Sequence, residues 1–427
     1  MTNIKVIIGA FLLRIKSLKM HWFVLFALLA FALFLRIIFL PVLGFHGDFQ
    51  IFNLWASDLS KYGIFKFYEN SGCNYLPLYV YILKFSTLIQ PLIHRINSAW
   101  TDNQVVWISY KFPCFVFDLL TAYFLFLFIL KKTKNKLLGT LGSVFYLFHP
   151  ALFHNTYIYG QNNVLIYFPT ILLLYTLSEK KYYWAGFSLA LLLLIKPTSI
   201  IIFPFIVALF ILENKKDYKA YLKFFLSAYL FVQILILPFY FRLPWDFARL
   251  FFQFLTTGNP YKVTMMYSYN LWFLLTGSDP VADSIKFLGK SYYFWGLLMF
   301  SASYLISLLL LYSKTKGYLI LMVIIYFSFF VFPTRVHEGY LLFAFPVFIL
   351  AIFIYRNYLL GLIFILSSLA YSYNIWSYWP SRLSSYISIY YNNGYARPTA
   401  YLITFTPLFL IGYFLFINLS KKTKRLL

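Results

Sequence analysis

The sequence predicts an all-α, polytopic membrane protein of roughly twelve transmembrane helices. Three observations carry that prediction. Of 427 residues, 62% are hydrophobic and only 11% are charged, where a soluble domain carries about 25% charged residues. Apolar runs recur along the whole chain, several of them near the roughly 20 residues that a helix needs to cross the hydrocarbon. Short basic clusters separate the runs: Lys131-Lys132 with Lys134 and Lys136, Lys180-Lys181, Lys215-Lys216, Lys314 with Lys316, and Lys421-Lys422 with Lys424-Arg425. That spacing is the positive-inside pattern of cytoplasmic loops, so the net charge of +24 reports topology rather than nucleic-acid binding. Strict apolar–polar alternation is absent, which excludes a β-barrel. No stretch between the runs could fold as a soluble domain, so residues 1–427 read as one transmembrane unit. Cys73 and Cys114 imply no disulfide framework.

The basic clusters, taken as cytoplasmic markers, place each element in turn. Lys5, Arg14, Lys16 and Lys19 precede the first run, 21–42. No small-residue cleavage site follows it, so it reads as a retained helix that leaves Asp48 outside. The next apolar pieces are 76–93 and 105–130, the second ending in the Lys131 cluster. Were both to span, that cluster would fall outside. The segment 76–93 is the shorter and holds Pro77 and Pro91. It is therefore expected to lie in the plane of the outer surface as an amphipathic helix, within a first outer loop at 43–104. Crossings at 137–153, 164–177, 182–195, 197–212, 221–241, 291–312, 318–332, 340–355, 359–376 and 399–419 then alternate. They leave outer loops near 154–163, 242–290, 334–339 and 377–398, with an amphipathic stretch around 245–255.

This topology sorts the 12 acids. Asp48, Asp58, Glu69, Asp102, Asp246, Asp279, Asp283 and Glu338 fall outside, while Glu179, Glu213 and Asp217 sit inside among lysines. Asp118 lies near the middle of its helix. The acids gather where the loops are largest, which favours a site on the outer face. Asp48 follows Gly47 and suits the N-cap of a helix starting near Phe49, with Phe52, Trp55 and Leu59 on one face. A capping position can also aim a carboxylate at a substrate. Tyr75-Leu76-Pro77 reads as a helix start, because proline suits the first turn. The stretch 154–163, HNTYIYGQNN, is polar between two apolar runs. It is either a plain polar cap or a surface on which Gln161 and Asn163 hydrogen-bond sugar hydroxyls. Arg335, His337 and Glu338 crowd a short turn where Gly, Asn or Ser would serve. His337 and Glu338 are adjacent and diverge, and the 6 histidines are scattered, so no zinc site is expected. No cofactor is firmly implied, and a divalent metal is left open. Arg36, Lys111, Asp118 and Lys196 are intramembrane or boundary charges, which are costly and by default paired or functional. Lys111 and Asp118 share a helix face about 10 Å apart, too far for a direct pair. Lys111 lies towards the outer end, where a lipid phosphate could sit. Lys196, at an outer helix end, reads either as a snorkelling lysine or as a functional cation.

Together these residues resemble the C superfamily of glycosyltransferases, polytopic enzymes that use polyprenyl-phosphate-linked sugars. Gly47-Asp48 resembles the first-loop acidic motif. Asn74-Tyr75-Leu76-Pro77-Leu78 resembles a Tyr-Pro-Pro-Leu motif, with Leu76 in place of the first proline. The helix from Lys111 to Asp118, KFPCFVFD, resembles the one that follows it. His149-Pro150 with Tyr159-Gly160-Gln161-Asn162-Asn163 resembles a Gly-Gln-x-Asp motif, with Asn163 where many members have Asp. Lys196-Pro197 is typical of the superfamily. Val336-His337-Glu338 resembles the His-Glu motif of the dolichyl-phosphate-glucose glucosyltransferases and their mannosyltransferase relatives.

The resemblance implies an inverting hexosyltransferase. Asp48 would be the general base for an acceptor hydroxyl, and geometry decides whether it can reach one. A glycosidase generally needs a second carboxyl to protonate its leaving group. A phosphate leaving group needs cations instead, for which Lys111, Lys196 and Arg335 are available. His337 and Glu338 would position donor phosphate or sugar, with Tyr75, Gln161 and Asn163 lining the site. The implied partners are a polyprenyl-phosphate sugar donor, a glycan, lipid or protein acceptor, and the bilayer. The expected location is a bacterial inner membrane, with the active site facing outside. The rival readings are a transporter or lipid-glycan flippase, which would need essential charges near the midplane such as Asp118, and a non-catalytic glycan-binding subunit.

Overall fold

The computed structural model describes residues 20–239, 262–313, 317–378 and 393–423. The basic N-terminal segment, the amphipathic stretch expected at 245–255 and most of the loop 377–398 lie outside the described residues. What is described is almost wholly helical, as the composition predicts. Six described helices are long and apolar enough to cross a bilayer, or seven when one bent pair counts as a single span.

Helix α1, Met20–Phe39, leads through a short turn into α2, His46–Tyr62. The expected N-cap at Asp48 is not what forms: Phe45 takes the cap position without a side-chain bond, and Asp48 lies in the first turn. There its charge suits the positive end of the helix dipole, and its carboxylate is free of capping. Phe49, Phe52, Trp55, Ala56 and Leu59 form the buried face of α2. Helix α3, Pro77–Ile96, starts at the proline, as expected. Although 20 residues long, it is not among the helices apolar enough to cross.

Helix α4, Asp102–Thr133, is opened by a capping box between Thr101 and Gln104 and closed by Lys134 in the left-handed region. Its 32 residues reach about 48 Å, well beyond a hydrocarbon core of about 30 Å. Against its first turns lies the end of α3. Gln90 donates to Ser109 Oγ at 3.2 Å, and Ile93 packs with Val105 and Ile108. The outward side of α3 carries Phe85, Leu88, Leu92 and Ile96.

Helices α5, Lys136–Leu147, and α6, Pro150–Phe153, meet at a sharp break. Pro150 cannot continue the preceding hydrogen-bond ladder, and the His149 ring caps Leu152 N instead. The stretch expected to be a loop from residue 154 instead stays helical to Tyr159, in wider π-helical turns. Its polar side chains, His154, Asn155 and Thr156, are buried between helices rather than exposed. Helices α7, Val164–Ser178, and α8, Tyr182–Leu193, follow, then a 3₁₀ segment Pro197–Ile202, α9, Phe203–Glu213, and α10, Tyr218–Ile236.

In the C-terminal half, α11, Leu271–Thr276, is short, and α12, Tyr292–Ser313, faces outward on much of its surface. Helix α13, Tyr318–Val331, is buried nearly all round. The same holds for the 3₁₀ segment Glu338–Phe343 with α14, Ala344–Tyr355. Helices apolar on every face belong at the centre of such a bundle. Helices α15, Tyr358–Tyr378, and α16, Ala396–Thr423, complete it. Two short ladders brace the loops. Strand β1, Met265–Met266, runs parallel to β4, Val336–His337, pairing Met266 with His337, while β2, Lys286–Phe287, and β3, Lys290–Ser291, form a small hairpin.

Five chain segments meet at one end of the bundle. Phe45 N donates to Tyr159 O at 2.8 Å, joining the α1–α2 turn to the π-helical turns. Leu76 N and Leu78 N donate to Ile195 O and Leu194 O at 3.2 and 2.9 Å, joining the start of α3 to the α8 joint. The backbone at Gly339 sits against Asn163, whose Nδ2 would lie 2.7 Å from a Cβ there.

Candidate active site

Asp48 is held from two sides. From below, Trp107 of α4 forms a platform: Phe49 stacks on it at 5.1 Å with 21° between planes. Two glycines let the chain close over this ring. A Cβ on Gly44 would lie 2.7 Å from the indole, and one on Gly160 would lie 2.3 Å from it. Gly160 also has φ +88°, a conformation that favours glycine. With that turn made, Gln161 N bonds Asn155 O at 2.8 Å, and the Gln161 side-chain amide donates to Asp48 Oδ2. The Tyr159 hydroxyl also bonds the Asp48 carboxyl, and it reaches Glu338 on the other side.

Within electrostatic reach of Asp48 is Lys196. Of its two readings, snorkelling lysine or functional cation, the first fails: Lys196 is buried, because it sits at the break between α8 and the 3₁₀ segment, under the start of α3. Its ammonium donates to Asn163 Oδ1 at 2.8 Å and lies 4.6 Å over the Tyr75 ring. Asn163 in turn donates to Asn155 Oδ1 at 3.2 Å. Trp55 and Tyr79 pack on Tyr75 at 5.2 and 4.6 Å between centroids. His337 and Glu338 close the site, with His337 Nδ1 3.8 Å from Glu338 Oε2 and the His337 ring 5.5 Å from Tyr340. Glu338 is buried, and the Tyr371 hydroxyl donates to its backbone carbonyl.

The charges of this cluster act on one another. Burial raises the Asp48 carboxyl to about 6, even though Lys196, Gln161 and Tyr159 all favour its ionised form. Burial lowers the Lys196 ammonium to about 7, and Asp48 and Glu338 oppose that. Burial, with Lys196 adding to it, lowers His337 to about 4, so its imidazole is neutral at physiological pH. A carboxylate, a buried ammonium and a neutral imidazole thus lie close enough to influence one another. That set can take a proton from a hydroxyl and hold an anionic leaving group.

The structure brings together Asp48, Tyr75, Gln161, Asn163, Lys196, His337 and Glu338. It places the other two candidates differently. Lys111 is buried with its ammonium on backbone carbonyls. Arg335 bonds Asp283 through Nε at 2.6 Å and lies 4.4 Å over Tyr293, with Thr334 on the same carboxylate at 3.1 Å. Asp118 pairs with Arg36 at 2.6 Å, and Arg36 also donates to Leu147 O at 2.8 Å and Ala32 O at 3.1 Å. Trp107 and Asn155 were not singled out from the sequence, and Tyr159 entered only as the first residue of a motif. Polarity in 154–163 drew attention to that stretch, but nothing local marks Trp107, whose role depends on glycines distant in the chain. Among the described residues, no three His, Cys, Asp or Glu side chains gather closely enough to hold a metal.

Comparison with known proteins identifies a family. Residues 104–333 match the family described as glycosyltransferase family 87, over more than half of the chain. No curated protein is similar enough to match.

Proposed function

We propose the following chemistry for this chain, which belongs to glycosyltransferase family 87, a C-type membrane glycosyltransferase family. It transfers a hexose, with inversion, from a polyprenyl-phosphate donor to an acceptor hydroxyl on the extracytoplasmic side of a bacterial inner membrane. Asp48 takes the acceptor proton as the oxygen attacks the anomeric carbon. The bond from that carbon to the phosphate oxygen breaks on the opposite face, and the polyprenyl phosphate leaves with the electron pair. Lys196 holds the charge that develops on it. Neutral His337 and Glu338 orient the sugar and phosphate, and Tyr75, Gln161 and Asn163 fix their neighbours. Arg335 braces the turn that presents His337, through Asp283.

One observation carries this reading: the half-buried Asp48, held by Gln161, lies within electrostatic reach of the buried Lys196. One base with one cation suits inversion with a phosphate leaving group, which needs no acid to protonate it. The seven spans, taken with the five shorter apolar helices, support twelve crossings, with α3 lying flat at the outer surface. Shorter helices can cross where the bilayer thins or broken helices stack. The His337-Glu338 pair supports a donor like those of the dolichyl-phosphate-hexose branch. The acceptor is a glycan, lipid or protein hydroxyl. The transporter alternative gains nothing from Asp118, which is locked to Arg36.

The test is transfer from a labelled polyprenyl-phosphate hexose by purified Asp48→Asn protein. Turnover is expected to fall by about 10³-fold or more with the donor still bound, since general-base catalysis contributes about 10² to 10⁴. Turnover that survives this substitution would remove Asp48 from the role of base.

A further inference from the structure

Lys111 is the candidate cation that the site itself leaves unexplained. It lies in the first turns of α4, fully buried, with its ammonium 5.4 Å from the Trp107 ring. It donates to Val42 O at 2.6 Å, Tyr157 O at 2.6 Å and Phe39 O at 3.4 Å. An ammonium has three donors, and these three carbonyls occupy all of them. Phe39 ends α1, where unpaired carbonyls and the negative end of the dipole favour a cation.

The positions of the three carbonyls carry the inference. Phe39 and Val42 lie at the root of the chain segment that rises to Asp48. Tyr157 lies in the π-helical turns that rise to Gln161. The tips of these two arms meet where Gln161 bonds Asp48. One ammonium therefore ties together the roots of the base and of the residue that orients the base.

We propose that Lys111 is a positioning residue for Asp48, not a ligand of the donor phosphate. This rests on Asp48 being the base. To reach a phosphate, the ammonium would have to leave all three carbonyls. As a tie, it sets the separation between the arms, and so the direction in which Asp48 faces the acceptor.

Lys111→Met keeps the length of the side chain and removes its donors. A misplacement of about 1 Å at the base costs about 10²-fold, so kcat is expected to fall by about that factor while the donor KM stays within about threefold. The acid limb of the pH profile should move up, because Gln161 no longer favours the ionised carboxylate; Tyr159 and Lys196 remain as its other partners. Gln161→Leu should give the same displacement, and the double variant should add nothing further. A raised donor KM with an unmoved acid limb overturns the proposal. Should Lys111→Met fail to fold, the unaltered protein decides by mass spectrometry after treatment with a membrane-permeant amine reagent. Lys111 is expected to stay unmodified with and without added polyprenyl phosphate, and its modification in the folded protein overturns the proposal. Activity surviving in Asp48→Asn strikes the base assignment instead, so the two failures are distinguishable.

Discussion

Replacing Lys196 with methionine tests the electrostatics of the site most directly. The ammonium is buried, 2.8 Å from Asn163 Oδ1 and 4.6 Å from the Tyr75 ring. Methionine fills similar space without the charge. Removing one preorganised group aimed at developing charge costs about 10²- to 10³-fold in kcat, or about 3 to 4 kcal/mol. The pH profile should change in two ways. Asp48 must be ionised to act, so activity in the unaltered protein rises with pH through about 6. Lys196 must be protonated, so activity falls as pH rises through about 7. The unaltered enzyme is thus expected to show a narrow bell. In Lys196→Met the alkaline limb should vanish, because its group is gone. The acid limb should move up, because Lys196 no longer favours the Asp48 carboxylate. Initial transfer rates from a short-chain polyprenyl-phosphate sugar in detergent, measured across the neutral range, read both limbs. Thermal unfolding serves as a control for the donor lost at Asn163, a loss of about 1 to 3 kcal/mol. A Lys196→Met enzyme with kcat within twofold of the parent, or with its alkaline limb intact, would refute the assignment of Lys196 to the leaving phosphate.

Gly160→Ala should destabilise the protein and abolish transfer. The left-handed backbone alone costs about 1 to 2 kcal/mol, and the new Cβ would meet Trp107 at 2.3 Å; thermal unfolding and turnover check both. Arg36→Leu leaves Asp118 buried without its cation and should lower stability by about 3 to 5 kcal/mol. The double variant Arg36→Leu with Asp118→Leu should recover part of that loss in thermal unfolding, with the donor KM unchanged. An essential requirement for Asp118 in a double variant that is folded would instead favour a transporter.

Most of the fold was legible before the structure. The runs at 105–130, 164–177, 291–312 and 318–332 match α4, α7, α12 and α13 to within a few residues. The reason is that a chain crossing lipid must satisfy its backbone within each helix, so hydropathy alone bounds the segments. Pro77 marked the start of α3 because proline suits the first turn of a helix. Where the rule failed, a side chain had competed with it. The polar run from His154 looked like a loop, yet it is buried inside the bundle, where Asn155 Oδ1 accepts from Asn163, and the helix continued with wider turns. Asp48 looked like an N-cap, but Gln161 claimed its carboxylate.

By itself, then, the sequence determined a helical membrane chain, the approximate limits of its crossings, and a short set of polar residues too costly to be accidental. Among them were Lys196, noticed because lipid penalises a charge at its boundary, and Asp48, Gln161, His337 and Glu338, noticed as polar groups of the outer loops. What it could not determine is which of those groups share a pocket. Helices such as α7 and α14 are apolar on every face, so no periodicity encodes which neighbour each one meets. Only the tertiary structure brought Lys196 within electrostatic reach of Asp48 and paired Arg36 with Asp118. It also set Lys111 on three backbone carbonyls, since those choices depend on contacts between segments far apart in the chain.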